Sequence, residues 1–259
     1  MVDTAGFTDD DGNGTVDDSV AMDAAIDAAA TARCRTSPNP WVGSVVTVDG
    51  RIVGTGATRP PGGPHAERVA IEAVAANGGS IDGATLVTTL EPCHHEGRTG
   101  PCTEAIVAAG VARVVVAVED PDPQVAGRGI ARLREAGLEV VIGVRADEVA
   151  EQLAPYLHHR RTGRPLVVLK MATTVDGRIA APDGSSRWIT GPEARADVHR
   201  MRAESDAVCV GSGTVRADDP RLDVRDWPEA AAMESTDPLR IVLGAIPADA
   251  RVLPAEEHH

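Results

Sequence analysis

The sequence predicts an α/β protein, because β-rich runs alternate with helical segments along most of the chain. Between residues 84 and 144, three apolar strand-like runs are separated by helical segments, which is typical of a mostly parallel sheet. Residues 41–58 show a second pattern, two β-rich runs joined by Asp49 and Gly50, a turn pair that favours a hairpin. Together these patterns predict a sheet with helices packed on its faces.

The elements of the first region can be assigned in order. A helix is predicted for residues 18–34, because Met22 and Ile26 recur at helical spacing after a capping residue, Asp18 or Ser19. After the hairpin, a helical pattern begins at His65 and ends at an Asn-Gly-Gly sequence. The remaining predicted elements are strands at 84–90, 111–118 and 138–144 and helices at 102–109, 127–136 and 147–159.

A basic segment, residues 158–165, marks the predicted boundary between two regions, and its charges are interpreted as those of a solvated linker. The second region is again α/β, with strands predicted at 165–172, 206–213 and 238–245 and a helix at 192–204. The predicted domain organisation is an acidic, disordered N-terminal extension, a first domain, a helical and basic connector and a second domain, at residues 1–17, 18–146, 147–164 and 165–259 respectively.

Composition and charge exclude several classes of function. The 259 residues are 42% hydrophobic and 25% charged, which is typical of a globular protein. A net charge of −14 opposes binding to nucleic acid, and an aromatic content of 2% leaves few platforms for stacking bases. Neither a membrane span nor the basic start and apolar core of a signal peptide is present in the sequence. We therefore expect a cytoplasmic protein with a small-molecule substrate.

The stretch TLEPCHHEGRTGPC, residues 89–102, predicts metal ligands, because cysteines of a cytoplasmic protein stay reduced. Cys93 and Cys102, with His65, supply the three ligands of a catalytic zinc, whose fourth position holds water. A proline precedes both His65 and Cys102, so each is expected at a helix start. Glu67 then lies near the metal and is predicted to move protons without being a ligand.

Two structural alternatives to this site remain open. Cys93 and Cys102 form a disulfide in the first. In the second, His94 or His95 is the fourth ligand of a closed structural zinc. The closed site leaves His65 without a role, and it corresponds to a non-catalytic scaffold protein.

The sequence also resembles a known family. His-Ala-Glu followed by Pro-Cys and a further cysteine is the pattern of zinc-dependent nucleobase deaminases, although eight residues separate the cysteines here. That spacing, together with PNPWVG (38–43) and DPDPQVAGRGIARLREAGLEV (120–140), resembles the bifunctional deaminase/reductase of riboflavin biosynthesis. The segments 169–191 and 211–225 resemble its reductase half. The resemblance implies a cytidine-deaminase-like α/β/α domain followed by a partial dihydrofolate-reductase-like α/β domain.

The resemblance implies a reaction and the residues for it. The family deaminates a pyrimidine that bears a phosphoribosylamino group and then reduces the ribose with NADPH. On this chain it implies one Zn²⁺ held by His65, Cys93 and Cys102, with Glu67 as general acid and base. The implied substrate positions are Asn39, His95 and Arg98 in the first region and Ser186, Arg202, Leu222 and Arg225 in the second. The implied NADP(H) positions are Ala172, Trp188, Thr214 and Asp218.

Some alternatives for the second region stay open. From the residues alone, Trp188 is equally a core residue and Arg202 a surface charge. The family continues further at the C-terminus, so we expect only the N-terminal part of a reductase domain, with an exposed sheet edge. A deaminase with an inactive reductase fragment is therefore an alternative function. We also expect a homo-oligomer, and the charge and the hydropathy pattern predict neither a nucleic-acid nor a membrane partner.

Overall fold

The computed structural model describes residues 16–96, 100–186, 188–225, 227 and 237–253. The chain divides into two units, Met1–Val167 and Val168–His259. The predicted N-terminal extension lies mostly outside the described residues, and so does Arg98. No helix in the described part of the chain is long and apolar enough to cross a membrane.

The first unit is built on a five-stranded sheet in which the strand order is β2-β1-β3-β4-β5. The hairpin pair is antiparallel, β1 is also antiparallel to β3, and the last three strands run parallel. The carboxyl ends of two neighbouring parallel strands, β3 and β4, therefore meet at one edge of the sheet. The strands are β1 (Gly43–Val48), β2 (Arg51–Ala57), β3 (Thr85–Leu90), β4 (Arg113–Val118) and β5 (Glu139–Ile142).

Within the described residues, six helices cover this sheet, and they form an α/β/α sandwich with it. They are α1 (Asp18–Ala30), α2 (Ala66–Ala76), α3 (Cys102–Ala108), α4 (Arg128–Glu135), α5 (Ala146–Gln152) and α6 (Ala154–Thr162). Helices α1, α5 and α6 contribute to one buried apolar cluster and α2, α3 and α4 to another. Neighbouring strand residues alternate between the clusters, as Val45 and Val46 do, because side chains of a strand point to opposite faces.

Two strand glycines bring helices close to the sheet. A Cβ at Gly43 would lie 1.9 Å from the Ala25 carbonyl oxygen of α1. A Cβ at Gly56 would lie 2.3 Å from the Ala66 carbonyl oxygen, at the first turn of α2. Since real contacts are never so short, these positions accept no side chain without moving the helices. The start of α2 is thus fixed directly against the backbone of β2.

The second unit is smaller and follows a simpler plan. Helix α7 (Pro192–Ala203) precedes the parallel pair β6 (Ala207–Gly211) and β7 (Leu239–Leu243), and helix α8 (Ser212–Asp218) follows β6. Its buried apolar cluster consists of four residues, Val215, Leu222, Ala250 and Val252. Among the described residues this sheet has two strands, so each strand has one edge without a strand neighbour.

The sequence predicted the strands and the first four helices of the first unit, but the helix predicted at 147–159 is two helices, α5 and α6, which meet at Leu153. It failed twice from residue 165 onward. The strand predicted at 165–172 is wrong, because these residues adopt no regular structure. Val167 and Leu169 are both 82% exposed, and no strand in the described part of the chain supplies hydrogen bonds to this segment. Helix α8 was not predicted, since its sequence, SGTVRAD, has little apolar periodicity.

Candidate active site

Three metal-ligand side chains come together at the ends of three elements. His65 is the N-cap residue of α2 and makes no capping bond, Cys93 follows β3, and Cys102 is the first residue of α3. The donor atoms of the three residues all lie within 4.8 Å of one another. The expected helix-start positions of His65 and Cys102 are therefore confirmed, and the side chain of His65 is not used for capping.

The distances fit a zinc ion. The Nδ1 atom of His65 lies 3.6 Å from the Sγ atom of Cys93 and 3.3 Å from that of Cys102. Tetrahedral zinc with ordinary bond lengths separates such nitrogen and sulfur ligands by about 3.5 Å. One imidazole and two sulfurs are also ligands that zinc prefers. The donor set present in this chain therefore fits Zn²⁺.

The structure contradicts both alternatives to an open site. Cys93 and Cys102 are free thiols, so they form no disulfide. The Nδ1 atom of His94 lies 3.0 Å from the hydroxyl of Thr103, and neither His94 nor His95 belongs to the metal-ligand cluster found among the described residues. A site with three protein ligands leaves one position for water, as in catalytic zinc sites.

Burial and close contacts shift the proton affinities here. The contact with the Cys102 thiol, together with a hydrogen bond from His65, lowers the pKa of Cys93 well below its usual value. The same contact between the sulfurs raises the pKa of the Cys102 thiol. Burial and the negative charge of Cys93 raise the pKa of Glu67, which is 4% exposed. A raised carboxyl pKa favours a group that both accepts and donates protons.

A cavity of about 250 Å³ adjoins these groups. Of the residues that the sequence predicted, those lining it are Asn39, His65, Glu67, Cys93 and His95. It lies at the carboxyl ends of β3 and β4, where open α/β sheets bind ligands. Every predicted site residue of the first region that the structure describes therefore lines this cavity, except Cys102. Cys102 is buried and adjoins the cavity through its contact with His65.

Sequence reasoning missed several lining residues, among them Asp120, Asp122, Tyr156 and Arg160. The hydroxyl of Tyr156 donates to the Asp120 carboxylate, at 2.9 and 3.1 Å from its two oxygens. Arg160 lies 3.2 Å from an Asp122 oxygen. Arg160 is exposed, as expected for the basic segment 158–165, but it also lines the cavity. The one tyrosine of the chain, beside the basic run, was the available signal.

Glu91 was also missed, and it anchors the loop that carries the two aspartates. Its buried carboxylate accepts four backbone N–H bonds of 2.9–3.2 Å, from Asp120, Gly127, Gly129 and Ile130. Such bonds compensate a buried negative charge. Glu91 lies two residues before Cys93 and thereby joins the metal-ligand segment to the cavity wall.

In the second unit, three of the predicted substrate positions surround Asp223. Arg202 donates to the Asp223 carbonyl oxygen at 3.2 Å, and Arg225 forms an ion pair with the Asp223 carboxylate. Leu222 precedes it in the chain and is buried. Burial and the nearby charge of Arg225 lower the pKa of Arg202, so this residue is not a plain surface charge. Ser186 is half-buried, and no contact to this group was found for it.

The predicted NADP(H) positions are not gathered in the same way. Trp188 is 73% exposed, so the core alternative is wrong, and its ring lies 4.4 Å from the Arg195 guanidinium. Thr214 and Asp218 are exposed on α8, one helical turn apart, and Ala172 is half-buried. A cavity of about 400 Å³ in this unit is lined by other residues, between 238 and 253. The described residues therefore do not enclose a nucleotide at the predicted positions.

Two family models match the chain. One, described as the cytidine and deoxycytidylate deaminase zinc-binding region, matches residues 15–118. The other, described as the RibD C-terminal domain, matches residues 165–259. The expected fold class, a cytidine-deaminase-like domain followed by a dihydrofolate-reductase-like domain, is confirmed by these matches.

Relatives with known names match most of the chain. The riboflavin biosynthesis protein RibD of Mycobacterium tuberculosis (strain CDC 1551 / Oshkosh) is 49% identical over 90% of this chain, and that of Escherichia coli (strain K12) is 48% identical over 82%. The chain spans 68% and 57% of their lengths. A solved structure from Thermotoga maritima, a diaminohydroxyphosphoribosylaminopyrimidine deaminase/5-amino-6-(5-phosphoribosylamino)uracil reductase, is 41% identical with a TM-score of 0.83; the match covers 91% of this chain and 66% of that one.

Proposed function

The chain belongs to the family of the riboflavin biosynthesis protein RibD, and from this premise we propose that its first unit deaminates a phosphoribosylaminopyrimidine by zinc-dependent hydrolysis. One observation carries the proposal. The three donor atoms lie within 4.8 Å of one another, beside a cavity that is also lined by the buried carboxyl of Glu67. A metal with an open position and a neighbouring proton carrier are the two requirements of hydrolytic deamination.

Each residue then has a separate task. His65, Cys93 and Cys102 hold the zinc ion, which when bound supplies Lewis acidity that lowers the pKa of water to about 7. The carboxylate of Glu67 accepts a proton from the attacking water and returns it to the amine nitrogen that leaves as ammonia. Burial of Glu67 raises its pKa, which favours the second transfer at neutral pH.

The substrate is held by the other lining residues. We propose that the Asn39 side chain hydrogen-bonds the pyrimidine or its ribose and that His95 and Arg98 bind the phosphate. Asn39 and His95 line the cavity, which supports the first assignments. Arg98, which lies outside the described residues, rests on the family resemblance and on the need for a cation in a chain of net charge −14.

For the second unit we propose the NADPH-dependent reduction of the ribosyl group, with substrate at Ser186, Arg202, Leu222 and Arg225 and cofactor at Ala172, Trp188, Thr214 and Asp218. The cluster around Asp223 supports the substrate positions. The exposure of Trp188 favours the alternative, in which this unit does not catalyse the reduction.

We further propose that the reaction takes place in the cytoplasm and that the chain acts as a homo-oligomer. The free thiols of Cys93, Cys102 and Cys209 favour a reducing compartment. The homo-oligomer is proposed on the resemblance to the family.

The test follows ammonia release and NADPH oxidation separately on the purified chain, with zinc content measured on the same sample. Glu67→Gln should retain zinc and reduce ammonia release by about 10²–10⁴-fold, the usual contribution of general acid–base catalysis. Glu72→Gln is the matched control, since Glu72 lies on the same helix and is exposed. Equal activity of Glu67→Gln and the unsubstituted chain would contradict the mechanism, and full ammonia release without NADPH oxidation would favour the deaminase-only alternative.

A further inference from the structure

We propose that helix α6 supplies two positioning residues, Tyr156 and Arg160, which fix one wall of the deaminase cavity and set its charge. This wall, called here the carboxylate wall, consists of Asp120 and Asp122. Tyr156 and Arg160 act through these two carboxylates. The inference rests on the proposed function only for the identity of the substrate.

Tyr156 holds the first carboxylate. Asp120 is 6% exposed, and its two oxygens lie 3.1 and 2.9 Å from the Tyr156 hydroxyl, which donates one hydrogen to them. One oxygen also accepts the backbone N–H of Asp122 at 2.9 Å. A buried carboxylate that loses a donor is costly, because hydrogen bonds to charged groups contribute about 1.5–3 kcal/mol. Tyr156 therefore stabilises one orientation of Asp120.

Arg160 holds the second carboxylate. One Asp122 oxygen lies 3.2 Å from its guanidinium, and the other accepts the backbone N–H of Gln124 at 2.9 Å. The Asp122 side chain is 14% exposed and that of Arg160 is 40% exposed, so the carboxylate is shielded from most of the solvent while the guanidinium stays partly in it. Arg160 follows Tyr156 by one helical turn, and its guanidinium lies 5.2 Å from the tyrosine ring centre. The two side chains thus support each other.

The positive charge of Arg160 also reduces the net negative charge of the cavity lining. Among the lining residues that the structure describes, the acidic ones are Glu67, Glu91, Asp120 and Asp122, and Arg160 is the one arginine or lysine. Backbone amides compensate Glu91, and Arg160 compensates Asp122. A phosphorylated substrate entering this cavity meets less repulsion when Asp122 is paired, since like charges repel strongly where solvent is limited.

The loop that carries the carboxylate wall is held from two elements. The Glu91 carboxylate accepts hydrogen bonds from the loop backbone at Asp120 and Gly127. Side chains of α6 contact the loop side chains of Asp120 and Asp122. Removing the α6 contacts leaves the backbone anchors and releases the side chains. The expected defect is a misplaced wall in a unit that remains folded.

The first test measures the wall without any substrate. Hydrogen exchange of zinc-loaded Tyr156→Phe/Arg160→Gln should be about tenfold faster at the amides of Asp122 and Gln124 than in the unsubstituted chain. Exchange in strand β3 should be unchanged. Arg161→Gln is the matched control, because Arg161 is an exposed neighbour on α6 outside the cavity. Unchanged protection of the loop in the double variant would overturn the proposal.

The second test measures ammonia release from the phosphorylated substrate and from its dephosphorylated form. Arg160→Gln should raise KM for the phosphorylated form by about tenfold, with kcat and zinc content nearly unchanged. The effect should be smaller for the dephosphorylated form, and Arg160→Lys should restore most of the loss. Equal effects on both substrates, or an equal effect of Arg161→Gln, would overturn the charge effect. If the unsubstituted chain releases no ammonia, the proposed function fails, and hydrogen exchange still decides the positioning of the wall.

Discussion

The two units differ in how completely they bury their apolar side chains. In the first, the sheet has a buried cluster on each face, and side chains such as Leu86, Ile106 and Leu133 are fully buried. In the second, one small cluster covers one face of a strand pair, and Leu239 and Leu243 on the other face are about two-thirds exposed. Ten of the thirteen exposed large hydrophobic residues in the described chain belong to the second unit.

This difference corresponds to the quality of the candidate sites. In the first unit, ligands separated by 28 and 9 positions meet within 4.8 Å, because the strand ends and helix starts that carry them are fixed by packing on both faces. In the second, the predicted cofactor positions lie on exposed segments and are not enclosed. A site needs rigid supporting elements, and one of the units provides them.

The largest expected effect is on zinc affinity, and it should occur on replacing a cysteine of the first unit but not one of the second. Cys102→Ser should lower zinc affinity by more than about a hundredfold, since even residues outside the ligand set commonly contribute 10–100-fold, and ammonia release should be lost with the metal. Cys209→Ser, at an exposed thiol of β6, should change neither property. Zinc content after dialysis against a weak chelator checks both variants. Equal zinc retention would remove Cys102 from the ligand set.

The next effect concerns packing. Leu133→Ala removes a fully buried side chain between α4 and the sheet and should destabilise the first unit by about 2–5 kcal/mol. Leu243→Ala, at a side chain 67% exposed, should change the stability of the second unit by less than about 0.5 kcal/mol. Hydrogen exchange resolved to each unit in urea measures both. A comparable loss at Leu243 would show that its face is covered in solution.

The smallest effect is electrostatic and depends on pH. Arg113 makes two hydrogen bonds of 2.7 Å to the carboxylate of Asp18, and these bonds lower the pKa of Asp18. A lowered folded-state pKa contributes stability above the unfolded value, near 3.9, and this stability is lost as pH falls through the folded value. Asp18→Asn should therefore cost about 1 kcal/mol at pH 7, allowing for partial exposure, and less as the pH falls below 4.

Asp183→Asn is the control for this prediction in the second unit. Hydrogen bonds from Ser185 lower the pKa of Asp183, yet this carboxylate is fully exposed. We expect no measurable change of stability at any pH. Urea unfolding from pH 7 to pH 3 provides the comparison, and a cost of Asp18→Asn that does not vary with pH would contradict the assigned cause.

The fold was predictable where local pattern and final packing agree. Strands β3 and β4 are short apolar runs, and they lie at the centre of the sheet, where such runs are buried. The run at 165–172 has the same character, and it forms no strand because a strand also needs a hydrogen-bonded neighbour. A pairing strand has to come from a distant part of the chain, so its presence cannot be predicted from the sequence of the run alone.

The candidate site was predictable for residues whose side-chain chemistry is specific. Imidazole and thiols at helix starts indicate zinc, so His65 and Cys102 could be assigned from the sequence. Glu91 and Tyr156 could not, because their roles depend on contacts 29–39 and 36 positions away, respectively. Those contacts exist only after the sheet has assembled, and a carboxylate or a phenol in isolation does not indicate them.

The glycine contact at the start of α2 has a consequence for how such a cavity can change over evolutionary time. On the α2 side of the cavity, the backbone of Gly56 contacts the backbone of α2 directly. A larger residue at position 56 would therefore move the helix start that carries His65 and Glu67 and would impair the proposed deamination. Tyr156 and Arg160 reach the cavity through side chains alone, which single substitutions can exchange while the backbone stays in place. New substrate preferences are therefore more accessible to mutation on α6, and the reaction itself is inherited with α2.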